Sequence, residues 1–179
     1  MARKVFLVQK STPPVLDTID RRLLAILQRN GRLTATELAE QVGLTTSPCL
    51  RRLRLLEQSG IIRGYSALLD QEKVGLPVSV FVSIKLERQK EDALRRFEDA
   101  VRDCPEVLDC YLMTGPRDYL LRVVAKDLAD YERFVKETLT RIDGIDNIES
   151  SFALGQVKHS NVLPVAREER VARRPKKAR

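Results

Sequence analysis

Arg51, Arg54 and Gln58 recur at helical spacing, with Arg52 flanking them, directly after Thr45-Thr46-Ser47-Pro48. A guanidinium is a planar fork that can meet two acceptors on a guanine edge, a contact worth about 1–3 kcal/mol of discrimination against the wrong base. Hydroxyls and unpaired amides at a helix start suit phosphate oxygens, because the positive end of the helix dipole lies there. The chemistry within reach of Thr45, Thr46, Ser47, Arg51, Arg52, Arg54 and Gln58 is therefore the reading of DNA. A row of arginines more commonly just solvates an exposed helix face, so the case needs the surrounding elements as well. Other chemistries have less to work with. His159 is the lone histidine, and Cys49, Cys104 and Cys110 are too few and too unevenly spaced for a disulfide framework or a zinc site. The cysteines read as small buried hydrophobes. With no nucleophile–base pair, metal cluster or glycine-rich phosphate loop, neither an enzyme, a metal nor a cofactor is expected.

Charge is spread unevenly. Through Tyr65 there are 11 Lys and Arg against 5 Asp and Glu; from Ser66 to Val165, 14 against 18; from Ala166 on, 7 against 2. A basic head on a mildly acidic body predicts that the head meets a polyanion. No run of about 18 apolar residues occurs and the N-terminus lacks a secretory pattern, so a cytoplasmic, nucleoid-associated protein is expected.

The elements that would position the arginines are legible. Asp17 can cap a helix carrying Ile19, Leu23, Leu24, Ile26 and Leu27, which ends near Asn30-Gly31. Thr34-Ala35-Thr36-Glu37 is a capping box for a second helix that stops at Gly43. A third is expected to start at Ser47-Pro48, with Ser as cap and Pro at the first helical position, and to run to about Ser59-Gly60. Cys49, Leu53 and Leu56 would pack inward. Two helices joined by Val42-Gly43-Leu44-Thr45-Thr46 make a helix-turn-helix, whose last helix enters the major groove. A short strand is expected at Ile61 to Leu69.

Beyond Pro77 the period changes. Val78, Val80, Val82, Ile84 and Leu86 alternate as a half-buried strand does. Helical spacing returns from Glu91 to Asp103. Val107 to Thr114 and Tyr119 to Ala125 read as strands joined by the turn Gly115-Pro116-Arg117-Asp118. Asp127 caps a helix with Tyr131, Phe134, Val135, Leu139 and Ile142 inward, and Ile145 to Leu154 is a last strand. The order β-α-β-β-α-β is that of the ferredoxin-like fold.

Several of these stretches resemble the Lrp/AsnC family of regulators: Leu16-Asp17-Thr18-Ile19-Asp20, Asn30-Gly31-Arg32, Leu38 to Leu44, Ser47 to Tyr65, Thr114 to Leu121 and Val157 to Asn161. The similarity is greatest to the leucine-responsive branch. It implies a domain that dimerises through its sheet, higher homo-oligomers (tetramers or octamers), and a small-molecule effector, an amino acid, bound between neighbouring domains. Carried over position by position, the effector-binding residues would be Leu112, Gly115, Asp118, Leu128, Thr138, Ser151, Phe152 and Ala153. Their types suit an amino acid: the Gly115 turn offers amides to a carboxylate, Asp118 an acceptor for an ammonium, and Leu112 and Phe152 apolar surface. Pro116 and Arg117, and the run Ser151-Phe152-Ala153, depart from the leucine-responsive pattern, which leaves the effector's identity open.

The sequence thus predicts an α+β chain: a flexible arm at 1–15, a winged-type helix-turn-helix of three helices at 16–62, a hinge with its strand at 63–77, a ferredoxin-like βαββαβ domain at 78–163, and a basic flexible tail at 164–179. The expected activity is sequence-specific binding of double-stranded operator DNA, tuned by the effector. A DNA-wrapping architectural protein with little sequence preference is the alternative.

Overall fold

A computed structural model describes residues 15–165, which fall into two compact units: 15–66 together with 159–165, and 67–158. Most of the predicted arm and tail lies outside the described residues.

The first unit is helical: α1 (Thr18–Leu27), α2 (Ala35–Val42) and α3 (Thr46–Gln58). Asp17 caps α1 in a reciprocal box, accepting the Asp20 N–H at 2.8 Å while its own N–H donates to the Asp20 carboxylate. Thr34 and Glu37 do the same for α2. Each box satisfies amides that a helix start leaves unpaired. Gly43 ends α2 with φ of 74°, a left-handed conformation that glycine adopts without a Cβ clash. The boundary of α3 differs from expectation. Thr45 is the capping position, without a side-chain cap bond, so Ser47 and Pro48 fall inside the first turn. Proline is tolerated there because first-turn amides have no intrahelical acceptor to lose. Leu23, Leu27, Leu38, Ala39, Val42 and Cys49 form the core, with Ile19 and Leu53 against it.

The strand expected at Ile61 to Leu69 is not formed among the described residues. A strand needs a neighbour to take its backbone hydrogen bonds, and this stretch pairs with no strand among the described residues. Residues 159–165, most of them expected in the second domain, group with the helices instead. Gln28 holds both backbone groups of Leu163, donating to its carbonyl at 3.2 Å and accepting its N–H at 2.6 Å, and Arg21 donates to the Val165 carbonyl at 3.3 Å.

The second unit contains β1 (Val78–Leu86), α4 (Glu91–Arg102), β2 (Val107–Leu112), β3 (Tyr119–Ala125), α5 (Leu128–Glu137), a 3-10 turn at Leu139–Arg141 and β4 (Ile145–Phe152). The sheet order is β2-β3-β1-β4 with every pair antiparallel, the ferredoxin-like arrangement. Val80, Val82 and Ile84 point inward and pack with Leu121, Val123, Phe97 and Phe134, and the Phe97 and Tyr119 rings lie 4.5 Å apart, tilted by 35°. Asp127 caps α5 through the Asp130 N–H. That helix stops at Glu137, earlier than its apolar spacing suggests, and Leu139 is buried from the 3-10 turn. Of the three cysteines, Cys49 is buried and Cys104 half-buried, but Cys110 is exposed, because it lies on edge strand β2.

Candidate DNA-reading helix and effector residues

Helix α3 has two faces. Cys49 and Leu56 are buried, whereas Thr45, Ser47, Arg51, Arg54 and Gln58 are exposed and Thr46 is half-buried. Ser47, Leu50, Arg51, Arg54, Leu55 and Gln58 line one shallow groove along the helix. Leu55, at 52 % exposure, puts apolar surface between the arginines. No carboxylate is within ion-pair distance of Arg51 or Arg54 among the described residues. Their donors are therefore uncommitted.

Arg52 has a different environment. Its guanidinium donates to Asp17 at 2.6 Å and to Asp20 at 2.8 Å, tying the middle of α3 to the start of α1. Those bonds, the one to Asp20 first, raise the Arg52 pKa. The Asp20 N–H, and to a lesser extent Arg52, lowers that of Asp17. Sequence reasoning grouped Arg52 with the DNA-facing side chains; 32 and 35 residues separate it from its partners, and no local pattern announces such a pairing.

The eight effector candidates do not converge within one chain. Leu112 pairs with Tyr119, which pairs with Ile84, so Leu112, Gly115 and Asp118 sit at one end of the sheet. Phe152 pairs with Val80 and the Ala153 N–H donates to the Ser79 carbonyl, at the other end. The four residues from Val80 to Ile84 amount to about 13 Å along the strand. Leu112 and Phe152 also lie on, or next to, opposite sheet edges. Leu128, at the start of α5, belongs with the Phe152 group, for Tyr131 one turn on meets the Phe152 ring edge-on at 5.3 Å. Thr138 lies at the far end of α5, where it caps the helix.

Asp118 is the one buried charged or polar side chain among the described residues, at 6 % exposure. Its carboxylate accepts the Leu86 N–H at 2.7 Å through one oxygen and the Gln89 side-chain amide at 2.7 Å through the other. Its own N–H donates to the Ile84 carbonyl and its carbonyl accepts the Met113 N–H, both at 2.8 Å. The residue thereby latches the β2–β3 turn onto the end of β1. Gln89, unremarkable in the sequence, is part of the latch. Gly115 has φ of 109° with open space about it, so the turn exposes backbone to solvent. Leu112 and Phe152 are exposed by 61 % and 44 %.

A three-helix unit with an uncommitted basic helix face, together with a ferredoxin-like unit, defines a DNA-binding transcriptional regulator. Similarity to known proteins extends over both halves. Residues 16–63 match the winged helix-turn-helix DNA-binding family, and residues 79–163 match the Lrp/AsnC ligand binding domain. The Bkd operon transcriptional regulator of Pseudomonas aeruginosa is 48 % identical over 150 residues, covering 84 % of this chain and 98 % of that protein. The leucine-responsive regulatory protein of Escherichia coli is 39 % identical, over 84 % of this chain and 92 % of its own length. Among solved structures, a Neisseria meningitidis transcriptional regulator in complex with L-Met superposes with a TM-score of 0.80 at 44 % identity, covering 84 % of this chain and 97 % of that one. The chain belongs to the Lrp/AsnC family of transcriptional regulators.

Proposed function

We propose that this regulator reads operator DNA with one face of α3 and responds to a free amino acid held between two copies of its sheet unit. The observation that carries the first half is the exposed groove of α3, in which Arg51, Arg54 and Gln58 stand without an acidic partner among the described residues. Arg51 and Arg54 contact guanine edges, Leu55 suits a thymine methyl, and Thr45, Thr46 and Ser47 approach phosphates at the helix start. Arg52 acts indirectly, by fixing α3 on α1.

The second half follows from spacing. No free amino acid spans the distance between Leu112, Gly115 and Asp118 at one end of the sheet and Leu128, Ser151, Phe152 and Ala153 at the other. A pocket that uses both groups therefore draws them from different copies, with Thr138 at its margin. Phe81 and Tyr111, exposed by 41 % and 56 % on the sheet face away from the helices, give a second copy apolar surface to cover. A homo-oligomer of this kind couples effector binding to the spacing of its DNA-reading helices. L-Met, bound by the meningococcal relative, is the first effector to test on this chain, followed by L-Leu. The assignment includes no catalytic step and no cofactor. It places the protein in the compartment that holds the chromosome; among the described residues no helix is long and apolar enough to cross a membrane.

Titrating the full-length protein onto DNA from upstream of its own gene, against unrelated DNA at fixed salt, with and without each amino acid, tests both halves. The reading requires a preference for one site of about 10³-fold or more and a shift with one amino acid. A preference near unity replaces it with DNA coating. A strong preference that no amino acid alters removes the effector assignment alone.

A further inference from the structure

Ser79, on β1 one residue before Val80, holds two separate stretches of the chain. Its carbonyl accepts the Ala153 N–H at 3.0 Å. Its hydroxyl accepts the Gln71 side-chain amide at 2.9 Å and lies 3.4 Å from the Gln71 side-chain oxygen. We propose that Ser79 and Gln71 are positioning residues for the effector response: they link the end of the run Ser151-Phe152-Ala153 to the hinge that follows α3.

The Ala153 bond continues the β1–β4 ladder one residue past the Val80–Phe152 pair. An amino acid seated against Phe152 and Ala153 therefore bears directly on the Ser79 backbone. The hydroxyl of the same residue meets a loop that is closed on itself. Gln71 donates through its side chain to the Leu76 carbonyl at 2.6 Å, and its backbone carbonyl accepts the Leu76 N–H at 3.0 Å. Val74 N–H donates to the Asp70 carbonyl at 3.1 Å and Gly75 N–H to the Glu72 carbonyl at 2.9 Å, with Gly75 turning the chain at φ of 83°. Among the described residues, no hydrogen bond other than those between Gln71 and Ser79 joins 70–76 to the sheet. The loop thus has two states available, seated on Ser79 or released. A ligand shifts such a balance only through different affinities for the two states, which contact at Ala153 supplies. The other end of the hinge is held on α3. The Tyr65 hydroxyl donates to Glu57 at 3.0 Å, and the Ile62 N–H donates to the Leu56 carbonyl at 3.1 Å. Residues 66–69 alone lie between that hold and the loop. Seated, the loop fixes where the hinge leaves the sheet unit; released, it does not. Neither Ser79 nor Gln71 belongs to the DNA-reading face or to the effector candidates, so their role is additional to both.

This role rests on the effector reading above, so the unaltered protein is measured first. Operator affinity of the full-length chain is titrated at fixed salt with L-Met, L-Leu and each other amino acid in turn. The amino acid that shifts it is then applied to Ser79→Ala, Gln71→Ala, the two together, and Ser79→Thr. Calorimetry follows amino-acid binding and sedimentation follows assembly. The unaltered protein should shift by about 5–150-fold, and in each Ala variant the shift should collapse toward onefold while the amino acid still binds. The two changes together should do no more than either alone, because both remove the same bond. Ser79→Thr keeps the hydroxyl and should keep the shift. A full shift in both single Ala variants overturns the proposal. So does a loss that Ser79→Thr shares, that comes with loss of amino-acid binding, or that sedimentation traces to altered assembly. If no amino acid shifts the unaltered protein, the effector reading fails and the coupling falls with it; a shift that survives in the variants removes the Ser79–Gln71 link alone.

Discussion

Helix α3 and the sheet unit carry their candidate sites in opposite ways. On α3 the candidate DNA-reading side chains come from one run of fourteen residues, Thr45 to Gln58, and Ser47, Arg51, Arg54 and Gln58 lie along a single face. In the sheet unit the effector candidates come from the β2–β3 turn, both ends of α5 and the end of β4, and they occupy separate ends of the sheet. The α3 face is complete once the helix forms, since helical geometry alone aligns residues three and four apart. The sheet candidates do not come together within one chain. The two regions also use their charged groups differently: the arginines of α3 stay open, while Asp118 is consumed in holding the turn.

Replacing Arg51 and Arg54 together with Ala gives the largest expected effect. Two bidentate contacts at about 1–3 kcal/mol each correspond to a loss of about 30-fold to about 10⁴-fold in operator affinity, with unrelated DNA much less affected. Fluorescence anisotropy with both DNAs measures it; an equal loss on both would mean that the arginines contact phosphates only.

Asp118→Ala comes next. It strands the buried Leu86 N–H, a loss of about 1–3 kcal/mol in the stability of the sheet unit by denaturant melts. Asp118→Asn keeps an acceptor for that N–H and so keeps most of the stability. If Asp118→Asn folds normally yet loses the amino-acid response, the carboxylate also meets the ligand. If it responds normally, Asp118 serves only the latch and the contrast with α3 sharpens.

Arg52→Ala should have the smallest effect, about 1 kcal/mol or less in stability, because its ion pairs are partly exposed. Base discrimination should remain, in contrast to Arg51 and Arg54. The pH dependence follows from Asp17, whose folded pKa is lowered. Its contribution is full above the ordinary aspartate value near pH 4 and is lost as pH falls through the lower folded value. In Arg52→Ala that acid-side loss shrinks without vanishing, since the Asp20 N–H remains on Asp17. Thermal melts between pH 2 and 6 would show it; an unaltered profile would mean that Arg52 adds nothing to the helix cap.

Much of this was legible in residue order. Asp17, the Thr34–Glu37 box and Gly43 mark helix ends by short-range hydrogen bonding and backbone freedom, and the alternation from Val78 to Leu86 marks a strand with one buried face. The βαββαβ order followed from such local signals, and the α3 face from helical periodicity. Sequence reasoning failed where the answer depended on a partner distant along the chain. The stretch Ile61 to Leu69 meets no neighbouring strand among the described residues; the Ser47-Pro48 boundary is instead a local ambiguity, one turn's cap or the next residues of a longer helix.

The sequence by itself determined the main helices, the alternation of β1 and the basic face of α3, since each depends on contacts within a few residues. Only the tertiary structure decided that Arg52 belongs to Asp17 and Asp20, that Asp118 belongs to Leu86 and Gln89, and that Leu163 returns to Gln28. Those pairings span 29 to 135 residues, and each forms only because packed elements bring a donor and an acceptor within about 3 Å.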